Sequence, residues 1–271
     1  QIDGSNLNQL LYHSSPDGKP IPVMKNEKTS PIKFNGIKYK DGYTIDRVGL
    51  ILPTSLCAGQ IANIAAIQLT KRQLGRGKGL SRFVSLVHTE GCGLGGESAI
   101  SLYKRTLIGY LTHPFVKFGL LLEHGCEKTH NDFMRHSLHQ RNLDSKNFGW
   151  ASIQLDGGMK NVLKKVEDWF NSKISADNSP NYEHVGLDAL SIGFLTSGPI
   201  SENTAMSIAH LIQKLVGAGT TVVIPENTEI FKKKSIREKI VGNHFLKATL
   251  AYGQKVELPG FHLLECPTNH W

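Results

Sequence analysis

Three cysteines recur at a nearly constant interval: Cys57, Cys92 and Cys126 stand 35 and 34 residues apart. Each follows a short apolar run and precedes a stretch that carries or leads into helical apolar spacing, so the interval is one strand-helix repeat. Repeats of that kind return to the same edge of a parallel sheet. The three thiols are therefore expected beyond the carboxyl ends of the strands, where ligands bind and helix N-termini point. Two of them sit in Gly-Cys pairs, with His88-Thr89-Glu90 ahead of Gly91-Cys92 and Glu123-His124 ahead of Gly125-Cys126-Glu127-Lys128. A free cysteine is ordinarily a small buried apolar residue. Three in one loop position, beside histidine and glutamate, point instead to metal ligation or to nucleophilic chemistry from a thiol activated at a helix N-terminus. Cys266 also follows a strand-like run but lacks that company.

Other residues sort around this edge. His88 and His124 end their strands, whereas His113, His136, His139 and His210 read as helix-surface or helix-end residues. Gly91, Gly93 and Gly96 satisfy the spacing of a dinucleotide-binding turn. The cysteine inside the motif fits poorly with close backbone approach to a pyrophosphate, and Glu123, 27 positions past Gly96, is a poor ribose ligand. An anion nest for a carboxylate or phosphate is the better reading. Lys128 would pair with a substrate carboxylate or, if desolvated, act as a base.

The elements that must position these residues follow a regular rhythm. Apolar runs at 47–53, 82–88, 116–124, 148–155, 187–196, 220–226 and 261–267 alternate with helical patterns at 58–74, 97–111, 128–140, 159–170 and 203–218. Continuous apolar strands between helices predict an α/β fold, a Rossmann-like layered parallel sheet flanked by helices. Residues 1–45, rich in Pro, Asn, Ser and Lys, read as a linker or irregular arm. Residues 46–174 are expected to form a first α/β lobe. Residues 175–271 are expected to form a second, continuous with the first.

Composition narrows the function. The 271 residues are 39% hydrophobic and 20% charged, with a net charge of +8. The basic groups at Lys71-Arg72, Arg76–Lys78 and Lys232-Lys233-Lys234 are scattered and lack interleaved aromatics, so no nucleic-acid groove is expected. No apolar run approaches the roughly 18–20 residues of a membrane span. The start shows no basic head before an apolar stretch, so no signal peptide is expected. Four cysteines without a CxxC pair suit a reducing, cytoplasmic compartment.

Five strings carry a resemblance: PTSLCAGQIA (53–62), HTEGCGLGGES (88–98), LIGYLTHP (107–114), LLLEHGCEKTHND (120–132) and FGWASIQLDGG (148–158). Together they resemble the altronate/galactarate dehydratase family, from about residue 47 to the ECPTNHW ending, with HTEGCG and GCE as the most specific motifs. The resemblance implies a hydro-lyase that removes water from a sugar acid to give a 2-keto-3-deoxy acid. It implies a divalent metal, iron first, with an Fe–S cluster as the other form. On that reading Cys57, Cys92 and Cys126 are metal ligands and His88 or His124 is the base. Lys128 and the backbone of 91–96 hold the substrate carboxylate, and Glu123 or Glu127 polarises. Thr89, Glu90, Gly91, Gly93, Gly95 and Asn131 complete the substrate-binding set. An upstream SAF-type domain and a homo-oligomer are further expectations. Two other readings stay open: a thiol-dependent enzyme, and a catalytically degenerate domain that only binds a sugar acid. The second arises because the family's Cys-Gly-Gly-Ser-Asp loop reads here Leu195-Thr196-Ser197-Gly198-Pro199.

Overall fold

The computed structural model describes residues 16–24, 32–40, 42–242 and 246–266. The chain divides into two compact units, one formed by residues 36–183 and the other by 1–35 with 184–271.

The unit of residues 36–183 is built on four strands, β3 (Val48–Pro53), β4 (Arg82–Ser85), β5 (Val116–Glu123) and β6 (Gly149–Ser152). They are all parallel and lie in the order β4-β3-β5-β6. The crossovers are α1 (Leu56–Lys71), α2 (Glu97–Leu111) and α3 (Asn131–His139), and α4 (Met159–Ala176) follows β6. Side chains alternate across a strand, and the two faces of the sheet divide the helices accordingly. Ile51, Leu120 and Leu122 pack with Ala62, Ala66 and Leu69 of α1 and with Val162, Val166 and Phe170 of α4. Leu50, Leu52 and Leu121 pack with Tyr103, Leu107 and Leu111 of α2 and with Met134 and Leu138 of α3. A sheet covered on both sides needs apolar residues at every position, which explains the unbroken burial of β3. The Rossmann-like layered fold expected from the sequence is thus present. The chain turns one way from β3 to β4 and the other way from β5 to β6, so β3 and β5 flank the topological switch point.

Residues 33–39 and 42–44, inside the expected irregular arm, form β1 (Lys33–Tyr39) and β2 (Gly42–Thr44), paired antiparallel. Their lysine- and asparagine-rich composition hides the strand pattern, because one side of the ribbon is exposed. A third strand, β7 (Tyr182–Gly186), completes a small sheet in the order β2-β1-β7. The polar run at 175–184 remains with this unit as far as Glu183. Asp177 is the tether, held by Arg47 at 2.5 Å and by Lys117 at 2.8 Å.

The other unit has a second parallel sheet, β10 (Phe261–Leu264), β9 (Thr221–Pro225) and β8 (Ser191–Gly193) in that order. Its core joins Ala205, Ala209 and Ile212 of α5 (Glu202–Gly217) to Val222, Ile224, Phe261 and Leu263. Two short helices, α6 (Glu229–Lys232) and α7 (Lys234–Val241), add Ile230, Ile236 and Ile240 to it.

Candidate active site

The loops after β3, β4 and β5 meet beyond the carboxyl ends of the strands, and Thr54 is where they join. Its N–H donates to the Leu122 carbonyl at 3.0 Å, and its carbonyl accepts from Tyr103 Oη at 2.7 Å and from Thr129 Oγ1 at 3.0 Å. Its own hydroxyl donates to Glu127 Oε1 at 2.8 Å. The loops after β3 and β4 are tied directly, the Leu56 N–H donating to the Glu90 carbonyl at 3.0 Å. Gly91 lies so close beneath them that a Cβ would come within 2.6 Å of the Thr54 carbonyl oxygen and 2.8 Å of Ser55 Cα. Its φ of 118° also excludes ordinary side chains. Gly125 has the same φ, and a Cβ there would meet Gln154 Oε1 at 2.9 Å. Each Gly-Cys pair is therefore a backbone device that swings the following cysteine outward.

Cys57, Cys92 and Cys126 are all exposed on this edge. Cys57 is the second residue of α1. Desolvation and the neighbouring Cys57, with the charges of Cys126 and Glu127, push the Cys92 thiol above its ordinary pKa. Cys126 Sγ lies 3.2 Å from His124 Nδ1. The structure thus sets His124 against Cys126, while Cys57 and Cys92 share the exposed edge but lie outside the group of ligand atoms that His124 and Cys126 form. Cys266 lies in the other unit, where its N–H donates to Glu226 Oε1 at 3.2 Å.

Glu127 is 3% exposed. Oε1 accepts from Thr54 Oγ1 and from the His124 N–H at 2.9 Å, and Oε2 from the N–H groups of Gly125 at 2.7 Å and Cys126 at 3.0 Å. Burial works to raise its pKa, but the donors converging on it, from the loop backbone and from Thr54, draw it down to about 2. Among the described residues, His124, Cys126 and Glu127 have ligand atoms within 4.8 Å of one another. A carboxylate offers about four acceptor sites, and those of Glu127 already have four donors. Glu127 is thus saturated by the loop that carries His124 and Cys126, of which His124 is half-buried and Cys126 exposed at the edge.

The remaining expected residues divide. Lys128, Thr89, Glu90, Gly93 and Gly95 are exposed, with open space around both glycines. His88 differs from the free base the sequence suggested. The Glu90 N–H donates to its Nδ1 at 3.2 Å, which leaves the proton on Nε2 to donate to the Pro53 carbonyl at 2.9 Å. Both ring nitrogens are committed to holding the loop. Glu123 and Asn131 are buried rather than lining the surface. The Glu123 carboxylate takes the Asn131 N–H at the start of α3, where a helix leaves unpaired donors. Asn131 Nδ2 donates to the Ala151 carbonyl at 3.0 Å. The sequence reading did not pick out Thr54, Tyr103 or Thr129. For the two threonines the one signal is a small polar residue at the end of an apolar strand or just after a Gly-Cys pair, and Tyr103, in the middle of α2, has none.

Residues 47–176 match a family model described as D-galactarate dehydratase/altronate hydrolase, second domain. That segment is a little under half of the chain, and it contains every residue of the cysteine edge. No curated protein matches the chain.

Proposed function

We propose that this unit dehydrates a polyhydroxy acid. The C2 proton is removed, the C3 hydroxyl leaves as water, and the resulting enol tautomerises to a 2-keto-3-deoxy acid. The observation that carries this reading is the contact of His124 with Cys126 at the switch point, on an edge where Cys57 and Cys92 are also exposed, within the segment that matches a sugar-acid-processing family. His124 takes the C2 proton on Nε2, the nitrogen turned away from Cys126, and passes it to the departing hydroxyl, so that the proton leaves in the water. Lys128 pairs with the substrate carboxylate, and the exposed backbone around Gly93 and Gly95 receives its oxygens. Glu127 does not react; it fixes the peptide groups of 124–126 and so aims His124 and Cys126. A soft, thiol-rich donor set fits a thiophilic divalent ion such as iron. Cys57, Cys92 and Cys126 would hold it, and it would supply a Lewis acid for the charge developing on the carboxylate.

The test is formation of a 2-keto acid from galactarate and altronate by iron-supplied protein, beside the His124→Gln variant. The variant is expected to lose about 10²–10⁴-fold in rate. Product at an undiminished rate in the variant would remove His124 from the mechanism. No product from either acid or from other hexonates and hexarates would overturn the assignment.

The 3.2 Å contact between Cys126 Sγ and His124 Nδ1 favours one second reading, a thiol nucleophile. It predicts that Cys57→Ser/Cys92→Ser protein keeps its activity and that alkylating Cys126 abolishes it. The dehydratase reading predicts loss in both.

A further inference from the structure

At the opposite edge of the four-stranded sheet, beside the amino ends of its strands, lies a cleft of about 480 Å³ within the same unit. It is separated from the cysteines by the length of β3, about 20 Å at the usual rise per residue. Its size falls in the range of small-molecule sites. The apolar part of its lining includes Ile37, Leu111, Val116 and Phe148. Around these, among the described residues, stand four cations, Lys38, Lys40, Arg47 and Lys117, against a single carboxylate, Asp177, a net of +3.

The charge imbalance is built into the fold. Arg47 is 5% exposed, and its guanidinium is fixed by the Lys78 carbonyl at 3.1 Å and by Asp177. Lys117 occupies the other oxygen of Asp177, and Lys78 Nζ donates to the Asp177 carbonyl at 2.9 Å. The neighbouring acids among the described residues are already engaged. Asp46 pairs with Arg82 at 2.7 Å, and Glu183 accepts from Tyr43 Oη at 2.6 Å and Asn181 Nδ2 at 3.3 Å. Lys38 and Lys40 lie over the Tyr43 and Tyr39 rings, at 5.0 and 5.2 Å from the centroids, and among the described residues neither has an ion-pair partner. A fixed, largely buried cation and two lysines with no ion-pair partner among the described residues, around an apolar floor, suit a ligand with a flat apolar body and a doubly charged end.

We propose that this cleft is a second binding site, for a small organic dianion whose apolar part lies on the floor and whose phosphate or carboxylate groups meet Lys38, Lys40 and Arg47. The assignment is independent of the chemistry at the cysteine edge. Calorimetric titration of the whole chain with phenyl phosphate and with phthalate tests it, and the tighter of the two identifies phosphate or carboxylate as the preferred group. Saturable binding is expected, weakening as salt is added. Lys38→Gln/Lys40→Gln protein should bind about tenfold more weakly, the scale of a lost charge-assisted contact, with an unchanged thermal midpoint. Protein with Cys57, Cys92 and Cys126 all replaced by Ser should bind as the parent does. The proposal is overturned if neither probe saturates by about 10 mM. Unaltered affinity in the double lysine variant, or binding lost with the cysteines, overturns it equally.

Discussion

Replacing Glu127 by Gln keeps its size and removes the charge on which four donors converge. An amide NH₂ would face two of those N–H groups, leaving donors unpaired in a buried place. Loss of hydrogen bonds to a charged group predicts a cost of about 2–3 kcal/mol, read from urea unfolding, and a cost below about 0.5 kcal/mol would show that the loop does not depend on the carboxylate. The glycines give a sharper contrast. Gly91→Ala and Gly125→Ala force a side chain into a left-handed backbone against neighbouring atoms, at about 1–3 kcal/mol each. Gly93→Ala enters open space and should stay within about 0.5 kcal/mol. At this scale the spacing of Cys57, Cys92 and Cys126 was legible because one strand-helix repeat separates them. The occupations of His88, Glu123 and Asn131 were not, because each is decided by which backbone group lies opposite in three dimensions. A histidine at a strand end looks the same in sequence whether its nitrogens are free or, as in His88, both bonded.

The elements hold the site through two supports, one apolar and one ionic. Phe170 of α4 is wholly buried and meets Phe83 of β4 edge-on at 4.9 Å. Phe170→Ala should cost about 3–5 kcal/mol, and an unaltered unfolding midpoint would contradict the packing described. The ionic support is Asp177. Burial acts to raise its pKa, but Lys117 and Arg47 hold it below the ordinary carboxylate value. A lowered folded-state pKa gives stability that is present above the unfolded value and lost as pH falls through the folded one. The parent should therefore lose stability from about pH 4 downward, and Asp177→Asn protein should show a shallower acid limb; identical limbs would contradict the tether. The alternating strands and helices could be read from the sequence because β3, β5 and β9 are continuous apolar runs. β1, β2 and β7 could not, since half-exposed strands admit Lys, Asn and Glu. The helices α6 and α7 were hidden by the run of three lysines between Phe231 and Ser235.

Across the whole molecule, each unit carries a parallel sheet with its own core. The family match and the cysteine edge fall in the same one. Among the described residues no helix is long and apolar enough to cross a membrane. The unit of residues 36–183 has exposed cysteines at the carboxyl ends of its strands and a cationic cleft at the amino ends, so its two edges are chemically distinct. That contrast predicts separable effects: cysteine substitutions should alter metal content and turnover without altering anion binding in the cleft. The central claim, that the thiol edge is a metal-holding reaction site, is tested most directly by the iron content of the whole chain. The protein would be purified without oxygen, reconstituted with ferrous iron and freed of unbound metal. Near-stoichiometric iron in the parent and in His124→Gln protein, and none in the variant with Cys57, Cys92 and Cys126 replaced by Ser, is the result expected. Equal iron in the parent and the cysteine variant, or no iron retained by the parent, would contradict it.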